Sequence, residues 1–142
     1  MGAIDLYARE TPGFDERVAQ SAALLLDAAR QHGGTIVQAT SLGAEDMVIT
    51  DLIVRGGLDI PLATLQTGTL HDETLALLGR LESHYGLPVE RHAPSHESVV
   101  QFVRTHGERA MYDSLDLRKA CCRVRKLVPL ERLLAGRTAW IT

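Results

Sequence analysis

Cysteine is scarce in this chain, with two residues in 142, too few for the disulfide framework of a small secreted protein. Metal binding, redox work or plain burial remain as roles for that pair. Long apolar runs are missing too: nothing approaches the ~18 residues a membrane-spanning helix needs, and Met1-Gly2-Ala3-Ile4-Asp5 lacks the basic and then apolar layout of a secretion signal. We therefore expect a soluble cytoplasmic protein with no membrane partner. Positive charge is not in excess either. The formal net charge is -3, and the basic residues gather in 118–137 while carboxylates balance them elsewhere, which argues against a general nucleic-acid binder. Any polyanion site is expected to be local. There is no internal repeat or low-complexity segment, and 142 residues with 45% hydrophobic side chains suffice for one core and are too few to suggest two. A single domain over 1–142 is the expectation.

Apolar residues at Val18, Ala22, Leu25, Leu26 and Ala29 predict an amphipathic helix over Phe14 to Gln31, stopped by His32-Gly33-Gly34. Thr35 to Thr40 is short and rich in β-branched residues, so it reads as a strand leading through Ser41-Leu42-Gly43 into a helix from Ala44 to Val54. The pattern repeats with a strand at Pro61 to Leu65, a turn at Gln66-Thr67-Gly68-Thr69 and a helix over Asp72 to Tyr85, ended by Gly86. Pro88 to Ala93 reads as a third strand, Glu97 to Thr105 as a helix, Leu115 to Leu134 as a charged helical region perturbed at Pro129, and Thr138 to Thr142 as a fourth strand. Alternation of this kind predicts an α/β fold, a parallel sheet with helices on both faces and ligands beyond the strands' C-terminal ends. A buried parallel strand is normally followed by a helix that covers it. The chain stops at Thr142 instead, so we expect a part of a longer protein, incomplete at the C-terminus, or an edge covered by a partner chain.

Three stretches could carry chemistry. Ser41-Leu42-Gly43-Ala44-Glu45-Asp46 joins the first strand to its helix; Gly43 allows close backbone approach, and free amides at a helix N-terminus can hold phosphate or sulfate. It lacks the lysine of a Walker loop, and Glu45 and Asp46 would repel an anion that came too near, so they are given helix-dipole and capping roles. An ordinary strand-to-helix turn with a serine cap accounts for the same residues. Leu65-Gln66-Thr67-Gly68-Thr69 lies on the same rim and could present backbone groups to an adenine edge, or could be a turn that needed glycine. The third is Cys121-Cys122, set among Arg118, Lys119, Arg123, Arg125 and Lys126. Positive charge beside a thiol favours the thiolate, the form that attacks electrophiles or binds soft metals. Adjacent thiols on a helix point in different directions, which suits two ligands of one bulky cluster better than a disulfide. Two small buried residues and a solvated basic face are the plain alternative, and zinc bound with His92 and His96 is a further one.

Taken together, Thr40 through Val48, Thr64 through Gly68 with His71-Asp72-Glu73-Thr74, and Arg118-Lys119-Ala120-Cys121-Cys122 through Pro129-Leu130 and Ala139 to Thr142 resemble the assimilatory sulfonucleotide reductases, the adenylyl-sulfate and phosphoadenylyl-sulfate reductase family. Their order and joint spacing carry the resemblance, which runs from about Phe14 onward. It implies the adenine nucleotide alpha hydrolase-like (PP-loop) fold. It also implies a substrate site lined by Ser41, Gly43, Ala44, Glu45, Asp46, Leu65, Thr67 and Gly68, which takes adenylyl sulfate or AMP. The double cysteine is typical of members with a 4Fe-4S cluster and a preference for adenylyl sulfate, so Cys121 and Cys122 are implied as metal ligands, two of the four such a cluster needs. Lys126 matches a family lysine near cluster and substrate and is implied as catalytic.

In the complete enzymes a C-terminal cysteine attacks sulfur, displaces AMP and leaves a thiosulfonate that thioredoxin reduces to sulfite. Thioredoxin is thus the implied electron donor. The motif bearing that cysteine, a second cysteine pair and an arginine-rich motif have no counterpart here, so the chain alone is expected to release no sulfite. Gln66 stands where the family usually has aspartate, and Thr69 where arginine is common. A non-catalytic nucleotide-binding module of the same fold, a phosphoadenylyl-sulfate reductase, and a homo-oligomer pooling cysteines around one cluster are the alternatives this reading leaves open.

Overall fold

The computed structural model describes residue 9 and residues 11–142. The reading of Met1 to Asp5 lies outside the described residues. In chain order the elements are α1 (Phe14–Gln31), β1 (Ile36–Ala39), α2 (Ala44–Arg55), β2 (Leu62–Leu65), α3 (Asp72–Tyr85), β3 (Val89–His92), α4 (His96–His106), a 3-10 turn (Ala110–Tyr112), α5 (Leu115–Cys122), a π-helical turn (Arg123–Leu127), α6 (Val128–Leu134) and β4 (Ala139–Ile141). The four strands form one sheet in the order β3-β2-β1-β4, every neighbouring pair parallel.

Register decides which side chains share a face. Gln38 lies opposite Leu62 and Ile141, and Val89 opposite Leu62, so Ile36, Gln38, Leu62, Val89 and Ile141 share one side. Against it pack Leu25 of α1, Ile53 of α2, and Leu78 and Leu81 of α3. The opposite side carries Val37, Ala63 and Leu65, covered by Leu133 and Leu134 of α6. Helices therefore sit on both faces, as the strand-helix alternation predicts, and each fully buried aliphatic side chain contributes roughly 1.5–3 kcal/mol. Leu26, expected on the apolar stripe of α1, is exposed because the buried stripe runs through Leu25, Ala28 and Ala29, one side-chain step away.

One buried position in β1 is polar for a reason. Gln38, fully buried, donates from Nε2 to the Asp46 carbonyl at 2.9 Å and accepts from the Thr50 hydroxyl at 2.9 Å. The amide pins the first turns of α2 to the strand that precedes it, so the α2 N-terminus has a fixed place above the sheet.

The perturbation expected at Pro129 falls just before it. Proline has no N–H to give the carbonyl four residues earlier, and its ring crowds that carbonyl. Here that carbonyl belongs to Arg125, and the helix opens into the π turn Arg123–Leu127 around it. Such widened turns redirect side chains and concentrate at functional sites.

At the far end of the sheet the Glu82 carboxylate accepts from the Val89 N–H at 3.0 Å and from Arg91 Nη2 at 2.7 Å, and the Val89 bond above all holds its pKa below the ordinary glutamate value. A depressed carboxylate contributes stability that is present above the ordinary glutamate range and lost as pH falls through the lowered value. Glu82→Gln is accordingly expected to flatten the acid limb of the urea midpoint plotted against pH, leaving the neutral limb nearly level. Superimposable acid limbs for the two proteins would contradict this.

Candidate functional site

The chain runs β1, β2, β3 in one direction across the sheet and then returns to place β4 on the other side of β1. That reversal opens a crevice at the C-terminal ends of β1 and β4, the place where open α/β sheets take ligands. A cavity of about 380 Å³ lies there, lined by Thr40, Ser41, Thr67, Lys126, Trp140 and Thr142 among others.

The first wall is the β1–α2 loop. Asp46, the third residue of α2 and 3% exposed, turns its carboxylate back over the loop, and its Oδ2 accepts from the Ser41 N–H at 2.6 Å and the Ser41 hydroxyl at 2.7 Å. The Leu42 N–H donates to Thr40 Oγ1 at 3.0 Å and the Gly43 N–H to Ser41 Oγ at 3.2 Å. The loop is thereby closed on itself. It holds Leu42 at φ 65, the one described non-glycine residue with positive φ, with the leucine side chain buried in the core. Left-handed backbone in a non-glycine residue persists only where its surroundings over-determine it. Gly43, by contrast, sits at φ -68 and ψ 165, a conformation open to any residue, and a Cβ there would come within 2.9 Å of the Glu45 carboxylate. No side chain caps α2, whose first-turn amides follow Gly43 directly. Uncapped amides and the positive end of a helix dipole form a ready anion site. Glu45 and Ala44 are exposed at this end; the Glu45 carboxylate lies against Gly43.

The second wall is the loop after β2. Gln66 Oε1 accepts from the Gly68 N–H at 3.1 Å, and Thr67 Oγ1 accepts from the Thr69 N–H at 3.2 Å. Gln66 thus makes the side-chain-to-amide bond, two residues on, that an aspartate makes in an Asx turn. Leu65 and Thr67 line the cavity; Gly68 is exposed beside it at φ 78.

The third wall comes from the helical run after the cysteines. Lys126 projects from the π turn into the cavity lining together with Leu130. Four of the five cations that cluster in sequence part company in space: Lys126 enters the cavity lining, Arg125 Nη1 donates to the Thr67 carbonyl at 2.8 Å, Arg123 lies 3.9 Å from Glu131, and Arg118 lines a separate hollow with Tyr112 and Leu115. Among the described residues, Lys126 is the one cation in the cavity lining.

Of the residues named from sequence, Ser41, Leu65, Thr67 and Lys126 line the cavity, and Gly43, Ala44, Glu45, Asp46 and Gly68 belong to the two loops that shape it. Cys121 is buried and Cys122 partly so, at the end of α5, four residues before Arg125 and Lys126 respectively; neither is among the lining residues. Among the described residues no three His, Cys, Asp or Glu side chains gather as a ligand set, so His92 and His96 do not complete a zinc site with the cysteines. A four-iron cluster takes four thiolates, and the chain holds two cysteines, fitting in kind but not in number. Sequence reasoning missed Arg125, Trp140 and Thr142 as site residues. Thr142 follows β4 as Thr40 follows β1, a signal that becomes readable once β4 is known to lie beside β1.

Comparison with known proteins places these features in a family. Residues 35–142 match the phosphoadenosine phosphosulfate reductase domain. The chain is 53% identical over 108 residues to an adenosine 5'-phosphosulfate reductase of Allochromatium vinosum, covering 76% of this chain and 42% of that protein. It is 40% identical over 132 residues to the protein of the same name from Burkholderia cepacia, covering 93% and 52%. The chain thus spans about half the length of these relatives. A solved phosphoadenylyl-sulfate reductase from Candida auris, in a phosphate complex, shares the fold with a TM-score of 0.65 at 19% identity, over 92% of this chain and 67% of that one. No helix among the described residues is long and apolar enough to cross a membrane.

Proposed function

The chain belongs to the phosphoadenosine phosphosulfate reductase domain family, and from that premise we propose that it forms the nucleotide-binding part of an adenylyl-sulfate reductase of sulfate assimilation. The observation that carries the reading is the cavity at the β1/β4 reversal, lined by Lys126 and by Ser41 and Leu42 of the loop that leads directly into the uncapped N-terminus of α2. A phosphosulfate carries negative charge on adjoining phosphoryl and sulfuryl groups. Helix amides suit one of these and a lysine, donating as a compact point charge, suits the other. The walls between them, Leu65, Leu70, Leu130 and Trp140, are apolar and suit a purine and its ribose.

Within that reaction this chain binds and orients the sulfonucleotide, and Lys126 offsets charge on the sulfuryl oxygens as the sulfur–oxygen bond to AMP breaks. Cys121 and Cys122 would supply two of the four thiolates that hold a 4Fe-4S cluster, which would bring redox capacity to the reaction when bound. Thioredoxin as reductant, a cytoplasmic setting and the absence of nucleic-acid partners belong to the same reading. Identity to relatives named for adenosine 5'-phosphosulfate supports that substrate over its 3'-phosphorylated form.

Calorimetric titration with adenylyl sulfate, AMP and adenosine tests the reading. Adenylyl sulfate is expected to bind more tightly than AMP, and AMP more tightly than adenosine. Equal or undetectable binding of all three would overturn it. The Cys121→Ser protein separates a module from a reductase part: unchanged affinity favours nucleotide binding independent of the thiols.

A further inference from the structure

We propose that Arg125 is a positioning residue: it fixes the 66–69 loop for nucleotide binding and ties the cysteine-bearing helix to that loop. The inference rests on the reading that the cavity takes an adenine nucleotide. Two independent features of the loop meet at the same guanidinium. The carbonyl of Thr67, a residue 4% exposed, accepts from Arg125 Nη1 at 2.8 Å across 58 residues of sequence. A Cβ placed on Gly68, whose φ of 78 already favours glycine, would come within 3.3 Å of that same nitrogen, so the guanidinium packs closely on the loop there. The amides of Gly68 and Thr69 are satisfied within the loop, by Gln66 and Thr67. The Gln66 N–H donates to the His92 carbonyl at 3.0 Å where the loop leaves β2, and the Thr67 carbonyl is the tie farther along, to the cysteine-bearing helical run.

The other end of the link is the helix. Arg125 lies four residues after Cys121 in the widened turn, and the next residue, Lys126, enters the cavity. A regular helix through Pro129 would leave the Arg125 carbonyl crowded by the proline ring. The π turn that relieves this is the segment from which residues 125 and 126 address the cavity rim, one at the loop and one at the ligand. A nucleotide that orders the loop is therefore linked to the order of the helix, and the linkage is reciprocal.

The test compares the wild-type chain with Arg125→Ala, Arg125→Lys and Gly68→Ala, reading AMP affinity by calorimetry and amide hydrogen exchange in 66–69 and 118–126. In the wild type, AMP is expected to slow exchange in both segments. Arg125→Ala should weaken AMP binding roughly tenfold, and at saturating AMP it should slow exchange in the loop only. Arg125→Lys, which keeps one charged donor for one carbonyl, should recover most of the affinity and the coupled protection. Gly68→Ala crowds the guanidinium by a few tenths of an ångström and strains a backbone held at φ 78, so it should weaken AMP binding and loosen the coupled protection even if Arg125→Ala fails to fold. AMP affinity and two-segment protection unchanged in Arg125→Ala or Gly68→Ala would overturn the proposal and leave the nucleotide site standing. A wild-type chain that does not bind AMP would overturn both, so the two failures are distinguishable.

Discussion

Asp46→Ala is expected to lower the affinity for adenylyl sulfate by roughly ten- to a hundredfold, the equivalent of the ~1.5–3 kcal/mol carried by hydrogen bonds to a charged group. The carboxylate does not face the cavity. It is buried and accepts both the backbone N–H and the hydroxyl of Ser41, five residues upstream, in a reach-back resembling that of a capping box. Without it the Ser41 N–H loses its acceptor and Ser41 Oγ, which takes the Gly43 N–H, loses its anchor. Leu42 then no longer has reason to stay at φ 65, and the amides beyond Gly43 are no longer aimed at one point. Asp46→Asn keeps an oxygen acceptor in place and should lose much less. Calorimetry together with urea unfolding checks this: comparable affinity in Asp46→Ala and wild type would show that the loop holds its shape by other means.

Lys126→Ala should produce the second large effect, with a different signature. Lys126 lines the cavity from an exposed position and takes part in no salt bridge among the described residues. Its removal should leave folding nearly unchanged while weakening adenylyl sulfate about ten- to a hundredfold and AMP less, because AMP lacks the sulfuryl oxygens. The wild-type affinity should fall as salt rises, and that slope should be shallower in the variant. Lys126→Arg retains the charge but spreads it over a planar fork, so partial recovery is expected. Equal losses for AMP and adenylyl sulfate would instead place the lysine on the nucleotide phosphate.

Much of this was legible in the residues. The helix Asp72–Tyr85 emerges with its expected bounds because acidic residues open it and Gly86, at φ 66, closes it. β1 follows the β-branched run Thr35 to Val37, and the strand-helix alternation with short connections leaves little choice but a parallel sheet. Other features depend on contacts that spacing does not encode. The sequence singles out Gly43 for close backbone approach and gives no sign that the left-handed turn falls on Leu42, where Asp46, Thr40 and a core pocket combine to hold it. Pro129 was expected to disturb the helix at its own position, but its missing N–H and its ring act on the turn before it. Five neighbouring cations read as one basic face; the separate destinations of Arg125 at Thr67, Arg123 at Glu131, Arg118 at the Tyr112 hollow and Lys126 at the cavity depend on how α5 and the run after it are wound.

The claim on which the rest depends is that the α2 N-terminus and Lys126 grip one ligand across the β1/β4 reversal. Mapping amide chemical-shift changes on titration with adenylyl sulfate addresses it residue by residue. The account predicts the largest changes at Gly43, Ala44, Glu45, Thr67 and Gly68, with Lys126 and Thr142 following. Changes concentrated around Met111, Tyr112 and Arg118, with the Gly43 to Glu45 amides silent, would contradict it.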